Sequence, residues 1–436
     1  MTFTQAYNYI LSLSNLPRKE YMQHPRDCSV YLKRLQFFLD IMGNPEKKIP
    51  HYIHVTGTSG KGSVTSFLHS ILHASGKKTG STYSPHPTCI TERWKIGNRH
   101  MSKKEFVLLV EKIKPQMDVY MRTTPYDMLS FFEITEAIGF LWFAQNKIDW
   151  IILEVACGGR FDASNVIPHK DVAVITNIGL DHIGIIGNTK KEIAYEKAGI
   201  ITSKNAVFTS EKNKSIIAIL KQECKKQKAQ LTVSTSQFLI SHKTTDDTNF
   251  IYKNESYILN TAGKHQIKNA VLCIDIAHHL DIPNAAIKKG LQQAPQPLRM
   301  ERISTKPLII LDAAHNPDKI ATTVQTVETL KQTVQNIHLV LGFSGDKNST
   351  QMIQTLMRLK PKTVACTRNT TNTFRKVTSP QAIEKLIKKQ SPNTKTLIFL
   401  DPIDAFAWSK KQQKSKDLLL VTGSIFLSGE IRKNIY

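Results

Sequence analysis

Acidic residues are the scarce class: 35 Asp and Glu stand against 59 Lys and Arg in 436 residues, a formal net charge of +24. A surplus of that size attracts polyanions, and it leaves nucleotides, nucleic acids and polycarboxylates all open as partners. Cysteine is sparse too. The six, at positions 28, 89, 157, 224, 273 and 366, form no C-x-x-C pair and no metal-like spacing, which excludes a disulfide framework or a zinc ribbon and suits a reducing compartment. No window approaches the roughly 18 consecutive apolar residues of a membrane span. Met1 to Ile10 lacks the basic start and apolar run of a signal peptide, so a soluble, cytoplasmic protein is expected. With 20 Gly and 18 Pro the chain is also too poor in both for a fibrous or low-complexity protein. What remains is a globular composition, 41% hydrophobic and 22% charged, at a length that predicts two domains or one large domain with an attachment.

Short apolar, β-branched runs recur: Tyr52 to Val55, Trp150 to Val155, Val172 to Thr176, Leu308 to Leu311, His338 to Leu341, Thr363 to Ala365, Leu397 to Leu400 and Leu418 to Val421. Runs of this kind are buried strands. Helical periodicity fills the intervals at Val64 to Ala74, Glu133 to Asn146, Lys190 to Ala198, Asn269 to His279 and Pro380 to Lys389. The alternation predicts an α/β fold with mostly parallel sheets covered on both faces. Pro295 and Pro297 stiffen the best linker, dividing the chain into domains at 1–295 and 297–436. The second holds 22 Lys and Arg against 10 Asp and Glu, so its positive charge is denser. Residues 231–262, with alternating Phe250-Ile251-Tyr252 and Tyr257-Ile258-Leu259, read as a small hairpin addition without evident chemistry.

Four segments carry candidate chemistry. Val55-Thr56-Gly57-Thr58-Ser59-Gly60-Lys61-Gly62-Ser63 links a strand to a helix start, where backbone N–H groups and the helix dipole favour an anion. Lys61 would supply a point charge for β and γ phosphates and the Ser63 hydroxyl could reach Mg²⁺, although the spacing departs from G-x-x-x-x-G-K-[ST]; a tight turn that happens to contain Lys is the alternative. Glu154 ends a buried strand, where a carboxylate is costly without a cation or donors, and Gly158-Gly159 follows; a capped surface turn would look similar. Asp181-His182 lies at another strand end, the edge where open α/β sheets bind ligands, although a lone histidine is more often structural. Asp312 and His315 flank a turn after a strand of the second domain, which also fits a capped helix start.

Taken together the segments resemble the folylpolyglutamate synthase and dihydrofolate synthase family, within the Mur ligase superfamily of ATP-dependent amide-forming enzymes. The resemblance is carried, in family order, by Gly57 to Ser63, Ser84-Pro85-His86-Pro87 with Glu92-Arg93, Phe132-Glu133, Glu154 to Asn165 and Leu180-Asp181-His182. It continues through Glu196-Lys197-Ala198-Gly199-Ile200, Gly263-Lys264-His265-Gln266 with Asn269, Arg299-Met300-Glu301 and Asp312 to Pro317. It implies a P-loop-type central domain with a mostly parallel sheet over 1–295 and a smaller Rossmann-like glutamate ligase domain over 297–436. It implies ATP phosphates on Gly57, Thr58, Ser59, Gly60, Lys61, Gly62 and Ser63, and Asn269 on the adenine side. One Mg²⁺ would lie among Ser63, Ser84 and Glu154 and a second at His182 with Lys197, the lysine that the superfamily carbamylates. Arg299 would reach the γ-phosphate, and Asp312 with His315 would complete the closed site.

The chain departs from the family at Ser59 for Asn, Pro87 for Leu, Cys157 for Gly and Leu298 for Gly, none of which removes a charged group. The implied reaction joins L-glutamate to dihydropteroate or to the γ-carboxylate of a reduced folate through an acyl phosphate, in a monomer that needs no membrane or nucleic acid. Two rivals are kept: a Mur-type ligase for another acid, such as a peptidoglycan precursor, and a nucleotide-dependent nucleic-acid binder. The latter would interleave aromatics with basic residues on one face, and the sequence offers only scattered cases such as Phe374-Arg375-Lys376.

Overall fold

The largest sheet is built around β1 (His51–Thr56). The remaining strands of this sheet are β2 (Thr79–Thr82), β3 (Trp94–Ile96), β4 (Arg99–His100), β5 (Trp150–Glu154), β6 (Val172–Ile175), β7 (Ala206–Thr209) and β8 (Gln230–Val233). They lie in the order β4-β3-β2-β5-β1-β6-β7-β8, and every neighbouring pair is parallel except the two made by β3, which runs antiparallel to β2 and β4. β1 therefore has β5 on one side and β6 on the other, with Val55 opposite Glu154 and Thr56 opposite Ile175. Connections leave in opposite directions from such a strand, and the crevice between them opens beyond its C-terminal end. The structure, a computed structural model, describes residues 1–20, 28–235, 237–243, 247–331, 333–371 and 376–435, so Phe374 and Arg375 lie outside it.

Helices cover both faces of this sheet, as its unbroken apolar strands require. On one face Leu35, Phe38, Trp94, Phe106, Ile134 and Trp142 pack into a core; on the other Ile53, Val55, Phe67, Ile71, Ile274 and Ile287 do. Arg34 is buried beside the first core, its guanidinium paired with Glu133 through Nε (2.7 Å) and Nη2 (2.8 Å) and with Asp127 through Nη1 (2.9 Å).

A second sheet begins after the two prolines. Its strands β12 (Glu301–Thr305), β13 (Leu308–Leu311), β14 (Ile337–Leu341), β15 (Thr363–Cys366), β16 (Lys395–Ile398) and β17 (Leu418–Thr422) lie in the order β12-β13-β17-β14-β15-β16, parallel except for β12. Between the two sheets in sequence, β9 (Leu239–Lys243), β10 (Thr248–Tyr252) and β11 (Glu255–Leu259) form an antiparallel sheet, one strand more than the hairpin expected.

Several boundaries differ from the sequence reading for physical reasons. The helix expected from Val64 begins at Lys61, because Gly60 adopts φ 89° and lets the chain turn straight into the first turn. The helix expected from Glu133 begins at Phe131, set by a capping box between Ser130 and Glu133. The last edge strand is Lys395–Ile398 rather than Leu397 to Leu400; Leu397 and Leu400 are exposed, so an apolar run there does not mark burial. β2, β3 and β4 are short and carry polar residues, which left them unread.

Removing the Arg34 side chain leaves the Glu133 carboxylate buried without its cation. Such losses typically cost about 3–5 kcal/mol. Arg34→Ala should therefore lower the urea midpoint by an amount corresponding to that cost with little change in slope, and an unchanged midpoint would mean the pair is energetically idle.

Candidate active site

The loop after β1 is shaped by what crowds it. Gly57 (φ 143°) faces Thr176 so closely that a Cβ would overlap the Thr176 hydroxyl, and a Cβ on Gly60 would meet Asn269 Oδ1 at 2.6 Å. The loop is pinned by Thr58 N–H to Asn177 O (2.8 Å) and Ser59 N–H to Asn177 Oδ1 (2.8 Å). The Lys61–Ala74 helix then starts with no side-chain cap, so its first N–H groups face outward, and the Lys61 ammonium folds back to Gly57 O at 2.9 Å. A helix N-terminus so exposed, with an ammonium beside it, is an anion site.

Glu154 closes the floor. It is buried at the end of β5, its Oε2 accepting only the Ser84 N–H (3.1 Å) among the described residues. Burial raises its carboxyl above the usual range, and Lys61 and Arg299 pull against that. Arg299 comes from the chain just past the prolines, where Leu298 and Met300 both take positive φ (56° and 53°). Its guanidinium lies over Gly62: a Cβ there would overlap Arg299 Nη2 and sit 3.3 Å from Glu154 Oε2. Lys61, Arg299 and Glu154 thus meet although the chain separates them widely.

The second sheet delivers the remaining groups. Asp312 accepts hydrogen bonds from Met300 N–H (3.0 Å), Ala314 N–H (3.1 Å) and the Thr323 hydroxyl (2.7 Å), so its carboxylate fixes the segment that carries Arg299. His315 is held by Ala313 O at Nδ1 (2.7 Å), and its Nε2 meets the Lys319 ammonium at 3.1 Å. Lys319 is held down to about 8, by burial first and then by Lys61. Burial would raise the Asp181 carboxyl, but His182, Lys319, Lys61 and Lys347 keep it well below the usual carboxylate range. His182 (φ 50°) is lowered to about 4 by burial, so at neutral pH it is an uncharged imidazole.

One cavity of about 1970 Å³ is lined by Thr58, Ser59, Gly60, Lys61, Gly62, Ser63, Ser84, Glu154, His182, Asn269, Arg299, Asp312 and His315. Of the residues singled out by sequence, Gly57 and Lys197 do not reach its wall. Gly57 backs the loop, and Lys197 is buried behind the Cys157-Gly158-Gly159 turn, where a Cβ on Gly159 would lie 3.1 Å from Lys197 O. Burial and the nearby Lys61 lower the Lys197 amine to about 7. The sequence reading missed Lys319 and Lys347 as site residues. Lys319 follows His315 by one helical turn, a spacing that could have found it; nothing local marks Lys347.

Among the described residues no group of three or more His, Cys, Asp and Glu is placed to hold a metal alone. Ser63, Ser84 and Glu154 offer hard oxygens, which suits Mg²⁺ sharing its shell with phosphate and water. His182 with a free amine at Lys197 does not suit it, since that lysine brings only a nitrogen donor and positive charge.

Residues 126–277 match the Mur ligase middle domain and 298–425 the Mur ligase glutamate ligase domain. The dihydrofolate synthase/folylpolyglutamate synthase of Bacillus subtilis is 31% identical over 93% of this chain and 94% of its own length. This chain belongs to that family. The dihydrofolate synthetase of Saccharomyces cerevisiae is 27% identical over 92% of this chain and 96% of its own. The Mycobacterium tuberculosis folylpolyglutamate synthase complexed with ADP superposes with a TM-score of 0.87 at 25% identity, covering 99% of this chain and 98% of that one.

The departures from the family pattern now have locations. Leu298 stands in a left-handed conformation that costs a non-glycine residue on the order of 1–2 kcal/mol. Its side chain is buried with Ile309, Leu311 and Leu427, a gain of about 1.5–3 kcal/mol that offsets the cost. Burial pushes the Cys157 thiol up to about 12, which disfavours its thiolate. Pro87 presses its carbonyl against Gly429, and Ser59 uses its backbone rather than its hydroxyl to hold the loop.

Gly62 tests the placement of Arg299 in this family member without touching a charge. Gly62→Ala improves helix propensity by about 1 kcal/mol yet evicts the guanidinium. Turnover should fall at least tenfold with nucleotide Kd changed only a few-fold, and adding Arg299→Ala should cost nothing more. Independent losses in the double variant would place Arg299 elsewhere during catalysis.

Proposed function

We propose that the chain adds L-glutamate to dihydropteroate, to the γ-carboxylate of reduced folates, or to both, consuming ATP. The single observation that carries this reading is the meeting of Lys61, Glu154 and Arg299, from loop, strand and linker, at an uncapped helix N-terminus. Two domains, 1–295 and 297–436, would bring the nucleotide and glutamate halves together. The protein acts as a cytoplasmic monomer without nucleic acid; among the described residues no helix is long and apolar enough to cross a membrane.

In the reaction the acceptor carboxylate attacks the γ-phosphorus of ATP, giving an acyl phosphate and ADP. The glutamate amine then displaces phosphate and loses a proton as the amide forms. Backbone N–H groups of Gly60 to Ser63 and the Lys61 ammonium hold the phosphates, and Asn269 over Gly60 bounds the nucleotide. Arg299 stabilises charge on the transferring phosphoryl group, steadied by the hydrogen bond from Met300 to Asp312. Neutral His315 and the Lys319 ammonium offer the glutamate a polar, cationic wall. Mg²⁺ at Ser63, Ser84 and Glu154 would supply charge neutralisation between phosphates when bound. Positioning of three anions against one another is the main task, and it explains a site rich in fixed cations.

Lys197 acquires its role by carbamylation, which replaces the misfit amine with a carboxylate-like group in electrostatic reach of His182. An amine titrating at about 7 has on the order of a thousandfold more neutral form at pH 7 than an exposed lysine. The neutral fraction rises as pH rises through that value. Activation by bicarbonate, at fixed dissolved CO₂, should therefore grow from pH 6 to pH 8 and disappear in Lys197→Ala, with partial recovery on adding a short carboxylic acid. A fully active Lys197→Ala enzyme would contradict the assignment.

ADP release measured with ATP, Mg²⁺ and glutamate, offering dihydropteroate and reduced folate separately, tests the reaction itself. Release should need glutamate together with one or both acids. Equal ATP hydrolysis without either partner would overturn the ligase reading.

A further inference from the structure

One arm of the cavity has no part in the chemistry above. Its wall includes Ser66 on the Lys61–Ala74 helix, Tyr83, Lys95 on β3, His100 on β4, and Arg432 and Lys433 at the end of the last helix. Ser66 is tied to the linker through Pro295 O (2.5 Å), so the arm begins one helical turn beyond the phosphate end. Lys95 pairs directly with Ser81 of β2 and with His100 of β4, which places the three on one face of the sheet.

Lys95 is the unusual group. It is 6% exposed, lines the cavity, and makes no hydrogen bond or ion pair with the described residues. Burial alone lowers its amine to about 8, still mostly charged at neutral pH. A buried ammonium without a partner is costly, and an anion entering from the cavity would remove that cost. Three carboxylates of the cavity wall, Glu92, Glu301 and Glu430, are engaged elsewhere, and burial alone accounts for the shift of Lys95. Glu92 accepts from Thr88 N–H (3.1 Å) and the Thr88 hydroxyl and lies 4.0 Å from Arg432; Glu301 accepts from Leu298 N–H and Arg432; Glu430 accepts from Thr370.

We infer that this arm, with Lys95 at its centre, is a subsite for the carboxylates of an oligo-γ-glutamyl tail on the acceptor. The inference rests on the folyl-glutamate reading given under the proposed function. Lys95 lies two strands along the sheet from Glu154, on the order of 10 Å at the usual strand spacing. A γ-linked glutamyl unit spans about 6 Å. With the terminal γ-carboxylate at the phosphoryl site, an α-carboxylate one or two units back therefore reaches Lys95. Lys95, His100 and the Tyr83 hydroxyl offer side-chain donors and no glycine loop, which matches a carboxylate better than a phosphate needing a backbone cradle. The volume also allows it: 1970 Å³ exceeds the roughly 300–1,000 Å³ of a site for one small ligand.

The test uses the full-length enzyme with ADP and Mg²⁺ bound, γ-linked triglutamate as the probe, and calorimetric titration. Wild type and Lys95→Arg should bind the peptide; Lys95→Met, with an unchanged thermal midpoint, should bind at least tenfold more weakly. Turnover of dihydropteroate, which has no tail, should be the same in Lys95→Met as in wild type. Inorganic phosphate should not compete with the peptide. Equal peptide binding by wild type and Lys95→Met, absence of binding by wild type, or displacement by phosphate would each overturn the subsite. Peptide binding lost in Lys95→Met but no turnover of any acceptor by wild type would instead count against the ligase reading and leave the anion subsite standing.

Discussion

The arrangement depends on one constraint: a carboxylate at the buried end of β5 must be kept among cations that come from distant parts of the chain. Glu154 has a single hydrogen-bond donor, Ser84 N–H, among the described residues. Lys61 from the loop after β1 and Arg299 from beyond the linker supply the charge that opposes its desolvation. The fold serves that meeting. β5 and β1 are adjacent so that Glu154 stands level with Val55, and the positive φ values at Leu298 and Met300 turn Arg299 onto Gly62.

The cationic surplus is an asset for anionic substrates and a cost for the ligand-free protein. Lys61, Lys319, Lys347 and Arg299 crowd one cavity with Glu154, Asp181 and Asp312, and burial first, with Lys61 adding to it, lowers Lys197 and Lys319 below ordinary lysine values. Bound phosphates and carboxylates relieve this repulsion.

Much of this was legible in the sequence because the chemistry sits where pattern is strongest. β1, β5 and β6 are continuous apolar runs, and each ends in a polar or glycine-rich turn that marks a sheet edge; the loop from Gly57 to Ser63, Glu154 and Asp181-His182 were found that way. Asp312 was found too, though its carboxylate holds backbone N–H groups rather than facing the cavity freely. The less legible features depend on tertiary proximity. Lys347 joins the site only because β14 delivers it beside Asp181, at 4.0 Å. Lys95 lies on a three-residue strand whose burial comes from neighbours, not from its own sequence. Lys197 was read as a site residue, and only the packing shows that it sits behind a glycine turn and outside the cavity wall.

The central claim is that the acceptor carboxylate is activated by phosphoryl transfer at the Lys61, Glu154 and Arg299 cluster. The most direct test follows oxygen. An acceptor acid labelled with heavy oxygen in its reacting carboxylate is turned over with ATP and glutamate, and the phosphate is analysed by mass spectrometry. The account predicts one labelled oxygen in the inorganic phosphate of each turnover, with the other retained in the amide. Unlabelled phosphate alongside full product formation would contradict it.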